Sequence, residues 1–161
     1  MKDRILALLR SNARQSSAEI ARQLDLSETE VTDTVAAMEA DGTIRGYTAI
    51  VANNAPGSEN RVKAIIEVKV SPNRDGGFDR VAWRIAKFPE VTDLFLLSGS
   101  YDLLLTVEGD SLQQVANFVS AKLATIDGVI STSTGFQLKK YKESNLIMQS
   151  DEEYERLKIC F

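Results

Sequence analysis

The stretch SSAEIARQLDLSETEVTDTVAAMEADG, residues 16–42, contains the signals for two helix starts and one helix end. Ser16 and Glu19 have the spacing of a capping box, and Ser27 and Glu30 repeat that spacing. Gly42 stands where a helix that ends in a left-handed residue needs a glycine. The stretch therefore predicts two short helices joined by a tight turn, which is the helix-turn-helix pattern.

The residues on both sides extend this pattern into a small domain. Apolar residues between Asp3 and Asn12 recur at helical spacing and predict a first helix. Residues 43–51, TIRGYTAIV, are strand-like and predict a wing after the last helix. Residues 52–60, ANNAPGSEN, are polar and turn-forming, as in a linker. We therefore expect a winged helix-turn-helix domain over residues 1–51, followed by a linker over residues 52–60.

From residue 61 onwards the apolar period changes from helical spacing to two, the period of a strand. The predicted elements are strands at 61–70, 91–98, 102–108 and 130–138 and helices at 78–88 and 112–123. Their order, βαββαβ, is the ferredoxin-like plan, in which two helices cover one face of an antiparallel sheet. The fold class is thus α+β, with this second domain over residues 61–141. The tail, residues 142–161, contains a helix-like stretch near 151–159.

Apolar residues in the second domain are expected on both faces of its sheet. Successive side chains of a strand point to opposite faces of the sheet. Some apolar residues of the predicted strands lie on the face opposite to that of their neighbours Leu94, Leu96, Leu103 and Leu105. A monomer would then expose a large apolar patch, which usually marks an interface. We expect a homodimer that forms sheet to sheet.

Composition excludes several function classes. The chain has 161 residues, no histidine, and 19 basic against 23 acidic side chains. Without histidine there is no Ser-His or Cys-His nucleophile pair and no His-ligated zinc. The single cysteine, Cys160, forms neither an intrachain disulfide nor a thiolate cluster. We predict no metal and no cofactor. No segment reads as a signal peptide or a membrane span, so a cytoplasmic location is expected.

The order of these domains resembles the Lrp/AsnC (leucine-responsive, feast-famine) family of transcriptional regulators, over about residues 3–141. Local motifs carry the likeness as well. They are ARQSSAEIA at 13–21, EADGTIRGY at 39–47, GSYD at 99–102 and GVISTST at 128–134. The resemblance implies a DNA-binding winged helix-turn-helix domain and a RAM-type domain that binds an amino-acid effector and forms dimers and higher oligomers.

On this resemblance two sets of candidate residues follow. For the effector site they are Gly99, Ser100, Tyr101, Asp102, Ser131, Thr132 and Thr134. Backbone N–H groups around Gly99 would bond the effector carboxylate, Asp102 would pair with its ammonium group, and the hydroxyl groups would complete the shell. The alternative is that the loop is only a turn and the hydroxyl-rich run only an edge strand. For DNA binding the candidates are Arg14, Arg22, Ser27, Thr29, Thr32, Asp33 and Arg45.

The predicted recognition helix departs from the family pattern. Residues 27–42 contain no lysine or arginine, and Asp33 and Thr34 stand where the family is typically basic. Phosphate contacts supply much of the affinity for DNA, so weak or unusual binding is expected. Two alternatives follow: an effector sensor or scaffold that has lost DNA binding, and an enzyme similar to siroheme decarboxylases. In the second, Arg80, Trp83 and Arg84 would face an anionic macrocycle, although the absence of histidine argues against it.

Overall fold

The computed structural model describes residues 1–52, 55–57, 61–71 and 77–148. It separates into two compact units, Met1–Ile50 and Val51–Phe161. The first unit contains three helices, α1 Lys2–Ser11, α2 Ser17–Leu24 and α3 Glu28–Ala40. None of the helices among the described residues is long and apolar enough to cross a membrane.

Both predicted capping boxes are confirmed. The Glu19 N–H donates to the Ser16 hydroxyl at 3.2 Å, and the Ser16 N–H donates to the Glu19 carboxylate at 2.7 Å. Ser27 and Glu30 form the same pair of bonds, at 3.2 and 2.9 Å. Gly42 has φ +74°, as a left-handed residue after a helix requires. Short side chains therefore fix where α2 and α3 begin, and a glycine fixes where α3 ends.

Spacings of four and three residues predict Val31, Val35 and Met38 as the buried stripe of α3, and the core of the first unit differs from this stripe at one position. Its buried apolar residues are Ile5, Ile20, Ala21, Val31 and Met38. Val35, predicted as part of the stripe, is only half-buried, while Thr34 is 8% exposed. The Thr34 hydroxyl donates to the Glu30 carbonyl at 2.6 Å, which satisfies it inside the core. Placing Thr34 among the surface positions of α3 was therefore wrong.

The strand predicted for the wing at residues 43–51 does not form. This segment instead bonds back to the end of α3. The Ile44 N–H donates to the Met38 carbonyl at 2.9 Å, and the Thr43 N–H donates to the Asp41 carboxylate at 2.9 Å. The Tyr47 hydroxyl donates to Glu39 at 2.8 Å. A strand needs a paired neighbour, and the described residues of this unit include none.

The second unit confirms the βαββαβ order. Its elements are β1 Val62–Val70, α4 Asp79–Ile85, β2 Val91–Leu96, β3 Leu103–Gly109, α5 Leu112–Asn117 and β4 Val129–Phe136. A π-helical segment, Phe118–Leu123, continues α5. The strands form one antiparallel sheet in the order β2-β3-β1-β4. This is the ferredoxin-like plan, and the α+β fold class is confirmed.

One face of this sheet is covered and the other is open. The covered face buries Ala64, Ile66, Val68 and Val70 of β1 with Leu103, Leu105 and Val107 of β3, and both helices pack on it. Leu94 and Leu96 pair with Leu105 and Leu103 and so lie on this face too. The apolar residues of the open face are Ile65, Phe95 and Leu104.

The described part of the tail is a hairpin, which the sequence did not predict. Strands β5 Lys142–Glu143 and β6 Leu146–Ile147 pair across a two-residue turn. Ser144 and Asn145 have φ values of 44° and 70°, as a type I′ hairpin turn requires. The helix-like stretch at 151–159 lies outside the described residues.

Candidate DNA-binding face and effector loop

Four exposed side chains form the face of α3 opposite to its buried side. We call this the recognition face; it comprises Thr29, Asp33, Ala36 and Ala40. At about 100° per residue these positions lie opposite the buried Val31, Thr34 and Met38. Thr32 and Ala37 flank the recognition face and are also exposed. The recognition face is therefore small and nearly uncharged, with one carboxylate.

Most other carboxylates of α3 are held by neighbours at the ends of the helix. The Ser27 hydroxyl and N–H groups bond Glu30 and lower its pKa. Hydrogen bonds from Thr43 lower the pKa of Asp41, which also pairs with Lys2 at 3.3 Å. Glu39 accepts from the Tyr47 hydroxyl and thereby raises the pKa of Tyr47. These carboxylates remain charged, but their side chains are directed to partners at the ends of the helix and away from the recognition face.

The cationic candidates lie outside α3. Arg14, Arg22 and Arg45 are all exposed. The Arg22 Nε donates to the Ala18 carbonyl at 3.4 Å, on α2. The Arg45 guanidinium lies beside Gly42, where an added Cβ would come within 3.1 Å of it. Ser27, the remaining DNA candidate, is the N-cap of α3, so its hydroxyl already serves the helix.

The loop before β3 is fastened to the end of β1. The Val70 N–H donates to the Asp102 Oδ2 at 2.7 Å, next to a register shift in β1 between Lys69 and Val70. The Asp102 N–H donates to the Val68 carbonyl at 3.1 Å, and the Lys69 ammonium donates to the Ser100 carbonyl at 3.2 Å. Asp102 thus has a structural bond that the sequence did not signal, because its partner is a backbone group.

The two effector segments flank the same end of β1. Val68 pairs with Leu103 on one side and with Thr132 on the other. The loop and β4 are thus separated by two strand spacings, about 10 Å. Within β4 the candidates divide between faces, because Thr132 and Thr134 pair with covered-face residues and Ser131 pairs with Lys69 on the open face. The structure does not bring all three hydroxyl groups together.

Two surface cavities lie elsewhere in this unit, and neither is lined by an effector candidate. One, of about 280 Å³, is lined by Asp79, Ala82, Trp83, Ala86, Leu94, Leu96 and Leu103. The other, of about 290 Å³, is lined by Arg61, Pro89, Glu90, Glu108, Gly109, Asp110 and Gln114. Of the residues named for a macrocycle, Trp83 lines the first of these two cavities, whereas Arg80 and Arg84 are exposed and line neither.

Comparison with known protein families assigns a domain type to each of the two units. Residues 3–45 match the winged helix-turn-helix DNA-binding domain, and residues 63–147 match the Lrp/AsnC ligand binding domain. A helix-turn-helix unit followed by such a domain defines a ligand-responsive transcriptional regulator.

Related sequences and solved structures identify the family within this class of regulators. The chain is 38% identical to the HTH-type transcriptional regulator YugG of Bacillus subtilis (strain 168), an uncharacterized protein, over 96% of this chain and 93% of that one. Among solved structures it resembles the Neisseria meningitidis transcriptional regulator NMB0573 in complex with L-Met, with a TM-score of 0.69, 26% identity, and coverage of 90% and 93% of the two chains. It also resembles AsnC of E. coli, with a TM-score of 0.66, 25% identity, and coverage of 88% and 93%. The chain belongs to the Lrp/AsnC family of transcriptional regulators.

Proposed function

We propose that this regulator binds DNA with α2 and α3, and that its affinity rests on few phosphate contacts. The observation that carries the proposal is the recognition face, which is exposed on a capped helix and contains no lysine or arginine. Arg14, Arg22 and Arg45 would contact phosphate groups, while Ser27, Thr29, Thr32 and Asp33 would lie toward the bases.

Salt dependence tests this division of roles. Each neutralised phosphate contributes about 0.9 to the slope of log affinity against log salt, so three arginines give a slope near −2.7 per half-site. Mobility shifts of the full-length protein at several salt concentrations measure it. A slope steeper than about −5 per half-site would mean that other cations dominate, against the proposal.

An effector sensor without DNA binding is the second candidate function, and the same recognition face favours it. The discriminating result is the absence of any mobility shift with random duplex DNA at low salt.

We further propose that the protein acts in the cytoplasm without catalysis, and that no tetrapyrrole site is present. A visible absorbance band that appears on addition of a tetrapyrrole would contradict the last point.

We propose a free amino acid as the effector, supported by the L-Met complex of the related Neisseria meningitidis regulator. The N–H groups of Gly99 and Ser100 would bind its carboxylate, and Asp102 would bind its ammonium group through Oδ1, since Oδ2 accepts from Val70. Thr132 and Thr134 share one sheet face, while Ser131 and Tyr101 would complete the site from other directions. Thermal shifts with each amino acid, beginning with methionine, test this assignment.

We propose a homodimer that assembles through the open sheet face and associates into higher oligomers. Ile65 and Phe95 are 45% and 54% exposed on that face, and Leu104 lies half-buried beside Phe95. Burial of such a cluster stabilises association by roughly 25 cal/mol per Å². We also propose the domain boundaries: a winged helix-turn-helix domain at 1–51, a linker at 52–60, a ferredoxin-like domain at 61–141 and a tail at 142–161.

A further inference from the structure

We propose that Asp33 and Ala36 set the base preference of this regulator, with Asp33 selecting a cytosine amino group and Ala36 a thymine methyl group. The inference rests on the proposed DNA binding by α3 and goes beyond it by assigning what the helix reads.

The flanking hydroxyl group of Thr32 is committed to its own helix. It donates to the Glu28 carbonyl at 2.9 Å, and in this rotamer the Thr32 methyl group is the part left for an outside contact. Thr34 makes the same kind of bond to Glu30 and is buried. Ala36 contributes only its methyl group, at the centre of the recognition face. The central and flanking positions therefore present apolar groups, which match the C5-methyl group of thymine in the major groove.

Asp33 is the carboxylate on the recognition face. An ionised carboxylate only accepts hydrogen bonds, so it needs a base edge that donates. Cytosine presents its N4 amino group in the major groove, whereas guanine presents the acceptors N7 and O6. Asp33 thus favours cytosine and is repelled by guanine, the base that an arginine would select at such a position.

The capping box keeps a neighbouring carboxylate from competing with Asp33. The Glu30 side chain is bound by the Ser27 N–H at 2.9 Å and by the Ser27 hydroxyl at 2.7 Å. Glu28 lies outside the recognition face, about 140° from Asp33 around the helix axis. Asp33 is therefore the carboxylate that the recognition face directs outward in the first turns of α3, where recognition helices contact base edges.

The test is a selection of bound sequences from random duplexes at low salt, with the full-length wild type, Asp33→Asn and Glu28→Gln. Asparagine is nearly isosteric and recognises adenine, so Asp33→Asn should move the preference at one position of each half-site from cytosine to adenine. The expected change in relative affinity is roughly 5- to 150-fold. Glu28→Gln removes the same charge outside the recognition face and should keep the wild-type preference.

A second measurement isolates the methyl contact of Ala36. Replacing thymine by uracil in the selected duplex deletes only the C5-methyl group and should weaken the wild type by about fourfold at the contacted base. Equal binding of both duplexes would overturn the part assigned to Ala36.

The outcomes separate this inference from the proposed function. If the wild type selects guanine at that position, or if Asp33→Asn and Glu28→Gln yield the same sequences, the role of Asp33 is refuted while DNA binding stands. If the wild type binds no duplex, both are refuted. Asp33 is exposed, so unchanged circular dichroism and melting temperature should accompany its loss of preference.

Discussion

Placing one arginine at the centre of the recognition face should strengthen DNA binding and make it more sensitive to salt. Ala36 is exposed there, and its replacement by arginine removes no buried group and breaks no hydrogen bond described in α3. Arginine also has a high helix propensity, so Ala36→Arg should leave the fold intact.

The size of the effect follows from counterion release. One added phosphate contact should steepen the slope per half-site by about 0.9, from near −2.7 to near −3.6. Between 50 and 200 mM salt, wild-type affinity should then fall by about 40-fold and that of Ala36→Arg by about 150-fold. At the lower salt concentration the variant should also bind more tightly.

Fluorescence anisotropy with one labelled duplex measures both slopes. Ala7→Arg is the matched control, because it adds the same charge at another exposed alanine. Ala7 lies on α1, outside the helix pair α2 and α3. The reasoning is refuted if Ala36→Arg and Ala7→Arg have the same slope, since α3 would then lie no closer to DNA than α1. Thr34→Arg gives no such test, because residue 34 is buried.

Three further predictions concern the effector loop, acid stability and assembly. Asp102→Ala should lower the unfolding free energy by about 1–3 kcal/mol, because it leaves the Val70 N–H unpaired. Asp102→Asn keeps an acceptor and should retain the melting temperature but lose the stabilisation by an amino acid; an equal response would place the ammonium site elsewhere. The lowered pKa values of Glu19 and Glu30 mean that their stabilisation is complete above the ordinary value of 4.5 and is lost as the pH falls through the lowered values. Helicity measured by circular dichroism from pH 6 to pH 2 should therefore decline less steeply for Glu19→Gln with Glu30→Gln, and an unchanged profile would contradict this. Ile65→Glu with Phe95→Glu should yield monomers in sedimentation, whereas Trp83→Glu, at a 70% exposed position on α4, should remain dimeric. Dimers of the double variant would exclude the open face.

The sequence predicted most reliably the elements whose signals are local. Capping boxes place a hydroxyl and a carboxylate three residues apart, so Ser16 and Ser27 mark the starts of α2 and α3 before any tertiary contact is known. The alternation in β1 likewise identifies its buried face correctly, from Ala64 to Val70. These features depend on side chains close in sequence.

Features that depend on distant partners were missed or wrong. The segment at 43–51 has strand-like residues, but its N–H groups at Thr43 and Ile44 bond to Asp41 and Met38, and no described strand of this unit lies beside it to form a pair. The π-helical geometry after Asn117 has no local sequence signal, and it places Phe118 and Leu123, five residues apart, on one buried side of the segment.

The candidate sites show the same limit. Sequence spacing gives Ser131, Thr132 and Thr134 as one group, but only strand register shows that Ser131 lies on the other face. The bond from the Val70 N–H to Asp102 has no sequence signal, because a backbone donor has no residue type. Thr34 shows that a hydroxyl can be buried when its helix supplies the acceptor.

The recognition face of α3 takes no part in the apolar core of its own domain. Core contacts come from Val31 and Met38, and the ends of the helix are set by Ser27 and Gly42. Substitutions at Thr29, Asp33, Ala36 or Ala40 therefore change stability by about 0.5 kcal/mol or less in either direction. Over evolutionary time such a helix can acquire new operators one base at a time without an accompanying repair of the scaffold, so related regulators with the same fold can diverge in the genes they control.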